Sequence, residues 1–201
     1  MDLLPAHPAL SYSRPPLGQA YHVSPPGLHP KYDYPDFIGG IMLINTADFE
    51  RVNGMSNRYW GWGLEDDEFR HRLVEAGIAI ARPDASVVDT GRDRTFKHFH
   101  AAAKRQRDYR KCYNQRDMDQ RRDRLTGAAD VAYAVAAART VAVGGAAEAE
   151  VLDVRLECDR ERTPWCDCAG APATEAPRLP VDPKDNVLPF LPRKQKKKKN
   201  R

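Results

Sequence analysis

The residues best suited to chemistry sit together at positions 59–67, Tyr59-Trp60-Gly61-Trp62-Gly63-Leu64-Glu65-Asp66-Asp67. Two tryptophans flank one glycine and a second glycine follows. That makes a mobile aromatic platform, and sugars stack their C–H faces on such rings. Three consecutive carboxylates come next. Acids in the first turn of a helix gain about 0.3–1 kcal/mol each from the helix dipole, and one or two acids need no other reason. Three directly behind an aromatic–glycine loop point further, to acid–base work. Crowded carboxylates repel, which predicts a raised pKa in one of them and a general base at this place.

A second constellation is His98-Phe99-His100. In a strand, residues i and i+2 share a face, so the two imidazoles stand side by side and Phe99 turns to the core. Such a pair is more often structural. It becomes a metal site when a carboxylate supplies a third ligand, and mixed N,O ligation then favours Mn²⁺, or Zn²⁺ if tetrahedral. Cys112, Cys158, Cys166 and Cys168 are too irregular in spacing for a zinc finger. Cys158 and Cys166 bracket a short loop with Thr163-Pro164-Trp165, and a disulfide fits there in an oxidising compartment.

Charge excludes some partners. Residues 169–201 hold nine Lys+Arg and three Asp+Glu, hence +6, while the whole chain is +4, so residues 1–168 carry −2. The basic balance is a tail effect, and specific nucleic-acid binding is not expected of the body. Residues 104–124 are rich in bases, but Asp108, Asp117, Asp119 and Asp123 interleave with them, as on a solvated helix face. The longest apolar stretch, 131–138, is far short of the roughly 20 residues a spanning helix needs. The last part has six prolines and ends in RKQKKKKNR, which reads as a disordered tail.

These groups need elements to hold them. Residues 1–36 carry eight prolines among Tyr12, Tyr21, His22, His29, Tyr32 and Tyr34, so they read as an ordered loop with short regular pieces. Residues 37–45 read as a strand with Gly39-Gly40 marking a bulge or a close approach. Thr46 reads as the N-cap of a short helix through Val52, closed by Gly54. Residues 65–76 form the strongest helix, with Phe69 and Leu73 at i and i+4 and Gly77 as its stop. Strands are expected at 78–81, 95–100, 132–137 and 151–158, the last two separated by Gly144-Gly145.

The stretch 54–73, GMSNRYWGWGLEDDEFRHRL, resembles the WGWGxEDD signature of the β-1,4-galactosyltransferases, nearest to the xylosylprotein branch that builds the proteoglycan linker. His29-Pro30 with Tyr32 and Tyr34, Ile38-Gly39-Gly40, Thr95 to His100, Val143-Gly144-Gly145 and Cys158 with Thr163-Pro164-Trp165-Cys166 resemble further family segments across residues 2–168. Asp2-Leu3-Leu4-Pro5 is similar to the end of the family's Asp-Val-Asp metal motif, with Met1 in place of valine. The resemblance implies an α/β fold: the C-terminal half of a GT-A glycosyltransferase, a mixed sheet with flanking helices. Residues 1–168 would be catalytic region without the nucleotide-binding half, followed by the tail at 169–201, and the chain alone would not catalyse.

The resemblance further implies inverting galactose transfer from UDP-galactose to the 4-hydroxyl of xylose on a proteoglycan core protein. Asp66 matches the base, Glu65 and Asp67 orient sugar hydroxyls, and Trp62 with Gly63 belongs to the mobile loop. Tyr32, Tyr34, Phe37, Gly39 and Gly40 match the sugar pocket. Phe37 stands where the family usually has tyrosine, which removes one hydroxyl, and Ala101 replaces a usual aspartate. Asp2, His98 and His100 match the Mn²⁺ ligands. The family's home is the Golgi lumen, as type II membrane proteins. The competing reading is a non-catalytic basic protein that binds polyanions through 104–124 and the tail.

Overall fold

The computed structural model describes residues 3–88, 91–98, 122–145, 147–159 and Cys166. The chain runs β1 (Leu3–Pro5), β2 (Gln19–His22), β3 (Met42–Leu43), α1 (Thr46–Arg51), α2 (Glu65–Glu75) and β4 (Ala79–Ala81). Then come two single turns, α3 (Ala85–Val88) and α4 (Arg92–Thr95), and β5 (Phe96–His98), β6 (Tyr133–Ala142) and β7 (Glu148–Leu156).

Among the described residues there are three small sheets, with orders β1-β5, β3-β2-β4 and β6-β7. The central one is mixed: β2 pairs antiparallel with β3 and parallel with β4. Alternation along β2 puts Ala20 and His22 on one face and Tyr21 on the other. Each face has its own core. Ala20, Ile38, Val52, Phe69, Leu73 and Ile78 pack on the side of α2. Leu3, Leu10, Val23, Leu28, Val87 and Phe96 pack on the other, joining the central sheet to the β1–β5 pair.

Helix α2 forms as its spacing predicts. Phe69 and Leu73 are buried, whereas Val74, one residue round the helix, is exposed. Gly77 at φ +68 ends it, with the Ile78 N–H returning to the Leu73 carbonyl at 2.9 Å. Helix α1 also forms, but Asn45 is its N-cap and Thr46 is already helical. The expected strand at 37–45 shrinks to Met42–Leu43. Gly40 adopts φ +88, outside the β region, and the backbone before it turns away to face the site. The two strands expected around Gly144-Gly145 form as β6 and β7 and pair antiparallel; both reach further towards the glycines than expected, while β7 ends at Leu156, and the register shifts between Val135 and Ala137. After β7, Cys158 and Cys166 are bonded as a disulfide, Cα to Cα 5.5 Å.

Buried charges tie α2 to a distant turn. Arg72, fully buried, donates to Glu68 on its own helix, to the carbonyls of Asn53 (3.0 Å) and Gly54 (3.1 Å), and to those of Asp123 (2.9 Å) and Thr126 (2.8 Å). Arg58, also fully buried, pairs with Asp123 at 3.2 Å. Burial pushes the Asp123 carboxyl up, but bonds from Ser56, Thr126 and the Leu125 N–H and the charge of Arg58 outweigh it and hold it below its ordinary value. At Glu68 burial wins over Arg72 and the carboxyl is pushed up. Asp123 was expected on a solvated basic helix. Residues 101–121 of that helix lie outside the described residues, as does the tail. At 122–124 Asp123 turns inward and Arg122 and Arg124 pair with Glu75.

Candidate active site

The site is built where α2 begins. Glu65, Asp66 and Asp67 form its first turn, behind a loop of unusual backbone. Gly61 and Gly63 have φ of +72 and +96, and Leu64 follows at φ +83 as N-cap. A non-glycine residue held there stores about 1–3 kcal/mol of strain, and such strain gathers at functional sites. The loop is anchored upstream. Asn57 bonds the Thr126 hydroxyl and the Gly127 carbonyl, and Ser56 donates to Asp123 at 2.6 Å. Its tip stays open, with Trp62 at 36% exposure.

Asp66 lies against the backbone of Gly39. A Cβ at that glycine would overlap Asp66 Oδ2 and stand 2.7 Å from the Phe37 ring. Glycine is therefore required by close approach, as its place inside an apolar run suggests. Asp67 Oδ1 accepts the Tyr34 hydroxyl at 3.2 Å. The Tyr32 ring stands 6.4 Å from that of Trp62. A carboxylate trio thus sits beside three aromatic residues, Tyr32, Tyr34 and Trp62, brought from two segments.

Phe37 is the floor of this arrangement. It is buried, and its ring packs on His22 (5.7 Å), His29 (4.9 Å), Tyr32 (5.2 Å) and Tyr34 (5.3 Å). His29 shapes the loop above it, because its Nδ1 accepts the N–H groups of Lys31 and Tyr32 at 3.1 and 2.9 Å. Arg70 on α2 pairs with Asp36 at 2.7 Å, and Arg82 donates to the Pro35 carbonyl at 3.1 Å. The first contact ties the aromatic loop to the helix that carries the acids, and the second ties it to the end of β4.

Two buried side chains at the site carry roles that the sequence does not announce. His22 Nε2 lies 2.9 Å from the Gly39 carbonyl, and Ser24 Oγ accepts the Ile41 N–H at 2.8 Å. The only signal available is their i, i+2 spacing after a short apolar–polar alternation, and the surrounding prolines obscure it. Burial pushes the His22 imidazole down to about 4, with the Gly39 carbonyl pulling the other way and the charge of Arg82 adding to the fall.

Of the metal-ligand residues expected, His98 is described, exposed at the end of β5. It stands opposite Leu3 in the β1–β5 register. Asp2 and His100 themselves lie outside the described residues. Among the described residues no trio of His, Cys, Asp or Glu converges on one point.

The geometry is an acidic helix start facing an aromatic cleft on a small mixed α/β scaffold. A family profile described as the N-terminal domain of galactosyltransferase matches residues 19–99. The chain is 43% identical over 173 residues to beta-1,4-galactosyltransferase 7 of Drosophila melanogaster, covering 86% of this chain and 53% of that protein. It is 39% identical over 169 residues to the xylosylprotein 4-beta-galactosyltransferase of Caenorhabditis elegans, covering 83% and 57%. The crystal structure of the Drosophila enzyme's catalytic domain with xylobiose superposes with a TM-score of 0.74 at 43% identity, covering 84% of this chain and 69% of that one. A mutant of the same enzyme, solved with manganese, UDP-Gal and xylobiose, also gives 0.74, at 42% identity. The structural neighbour is a GT-A type catalytic domain. The chain belongs to the β-1,4-galactosyltransferase family. It spans about half the length of the curated relatives it matches.

Proposed function

We propose that this chain is the acceptor-side, C-terminal half of a UDP-galactose:xyloside β-1,4-galactosyltransferase that works with Mn²⁺. The observation that carries the reading is the seat of Asp66. Its carboxylate lies against Gly39, in the first turn of a helix, with Tyr32, Tyr34 and Trp62 around the same cleft. The relatives that support the substrate class are a xylosylprotein enzyme and a structure holding UDP-Gal and xylobiose.

In this mechanism Asp66 takes the proton of the acceptor 4-hydroxyl as that oxygen attacks the anomeric carbon from the face opposite the leaving group. The new C–O bond forms as the bond to the diphosphate breaks, UDP departs, and the configuration inverts. Glu65 and Asp67 accept sugar hydroxyls, Asp67 with its orientation set by Tyr34. Tyr32 and Trp62 offer ring faces to the acceptor, and Trp62 on its glycine-flanked loop covers it and excludes water. Gly39 and Gly40 bring the chain close to the sugars without a side chain in the way. Phe37 supports the tyrosines from below.

Asp2, His98 and His100 would hold the divalent ion. The donor set fits, being two imidazoles and a carboxylate, and the β1–β5 pairing puts Leu3 across from His98. When bound, the ion neutralises charge on the diphosphate. We further propose residues 1–168 as catalytic region and 169–201 as a tail, and a lumenal Golgi setting on a type II membrane protein. The Cys158–Cys166 disulfide supports an oxidising compartment. Among the described residues no helix is long and apolar enough to cross a membrane.

The test is galactose transfer to a β-xyloside with UDP-galactose and Mn²⁺. It compares the chain alone with the chain fused behind the portion of the Drosophila relative that it does not match. The fusion is expected to form a β-1,4 linkage, read by NMR of the product. Strong preference for N-acetylglucosamine as acceptor would overturn the xyloside assignment. An inactive but folded fusion would overturn the half-domain reading.

A further inference from the structure

His22, the last residue of β2, shares the face that carries Ala20, Ser24 follows two residues later, and both are fully buried. Together they grip one short turn. His22 Nε2 meets the Gly39 carbonyl at 2.9 Å. Ser24 Oγ accepts the Ile41 N–H at 2.8 Å and lies 3.5 Å from the same carbonyl. Between them Gly40 adopts φ +88, and a Cβ there would overlap Ser24 Oγ. Gly39 is the surface against which the Asp66 carboxylate rests. The His22 ring also packs on Phe37, the floor under Tyr32 and Tyr34.

We propose that His22 is a positioning residue for the transfer: its Nε2–H fixes the Gly39 carbonyl, and through Gly39 the seat of Asp66. This rests on the galactosyltransferase reading given above. A purely space-filling role does not account for an imidazole here. His22 Nδ1 is buried without a hydrogen-bond partner among the described residues, an unmet acceptor that phenylalanine would not have. The ring nitrogen facing a carbonyl must carry the proton, so the neutral Nε2–H tautomer is required. Burial keeps the ring neutral at ordinary pH, in agreement with that state.

The experiment compares wild type, His22→Phe and His22→Gln in the active fusion. Phenylalanine keeps the slab and loses the donor, while the glutamine amide reaches the place of Nε2. His22→Phe is expected to lower kcat about ten- to hundredfold, the size of loss that follows a misplaced catalytic group. The KM for UDP-galactose should stay within about twofold, and His22→Gln should recover most of the rate. Nitrogen-15 NMR of the wild type should show the Nε2–H tautomer. An unchanged kcat in His22→Phe, a His22→Gln variant as slow as His22→Phe, or an Nδ1–H tautomer would each overturn the proposal. If the wild-type fusion folds and shows the Nε2–H tautomer but transfers nothing, the functional reading fails, and the role in transfer with it. Activity in the wild type together with an unaffected His22→Phe variant overturns the His22 proposal alone.

Discussion

Asp66 Oδ2 lies so close to the backbone of Gly39 that any side chain at position 39 would overlap it. The two residues come from different segments, one at a helix start and one in a turn. Gly39→Ala is therefore expected to push the carboxylate off its seat rather than to unfold the chain. Gly39 does not occupy the left-handed region, so alanine brings no backbone strain. We expect about a hundredfold loss of kcat in the active fusion, with a lowered thermal midpoint as well, because the same Cβ would stand 2.7 Å from the buried Phe37 ring. Retention of the full rate would show that the close contact is not needed for catalysis.

Asp66→Asn keeps the shape and removes the basic oxygen. Turnover should fall by about 10²–10⁴-fold or more, while UDP-galactose still binds. Steady-state kinetics together with donor titration calorimetry separate the two effects. Turnover within a few-fold of wild type would exclude Asp66 as the base.

Tyr34→Phe deletes the hydroxyl that reaches Asp67 at 3.2 Å. The pair is only partly buried, so the loss should be well below the roughly 1.5–3 kcal/mol of a desolvated bond to a charged group. The acceptor KM should rise a few-fold and the donor KM should hold. A shift confined to the donor would place Tyr34 on the wrong sugar.

Arg72→Ala leaves Glu68 and two backbone carbonyls of the 123–126 turn without their buried partner. Breaking a buried pair on one side destabilises by about 3–5 kcal/mol, a large part of the 5–15 typical of a domain. Urea unfolding should show that loss. A change under about 1 kcal/mol would mean that water replaces the guanidinium without penalty.

His22 makes stability fall in acid. Its folded value is about 4, below the ordinary 6.5. Above pH 6.5 both states are neutral and the residue adds no pH dependence. Between 6.5 and 4 the unfolded chain takes up a proton that the folded chain refuses. Stability is then lost as pH falls, by up to about 1.4 kcal/mol per pH unit, and the loss levels off below 4. Glu68, pushed up, works in the opposite direction, and Asp123, pushed down, loses its contribution only in stronger acid. Both are present in His22→Gln, so the difference between the two unfolding curves isolates the imidazole. Parallel curves from pH 7 to 4 would refute the assignment.

The local pieces and their chemistry are legible in the residues alone. The acids behind the tryptophan–glycine loop, the helix from Glu65 with its stop at Gly77, the two strands either side of Gly144-Gly145 and the Cys158–Cys166 bond all depend on neighbours in the chain. Short-range periodicity, turn chemistry and spacing are enough to read those. Long-range packing settles the rest. It replaced most of the expected 37–45 strand by a turn, because His22 and Ser24 satisfy the backbone groups around Gly40 that a sheet neighbour would otherwise take. It drew Asp123 out of an apparently solvated basic run and buried it against Arg58, 65 residues away. It set Leu3 across from His98. Each of these is a contact between distant segments, settled by which partner can fill a buried volume and meet a buried charge or carbonyl, and no local propensity encodes that choice.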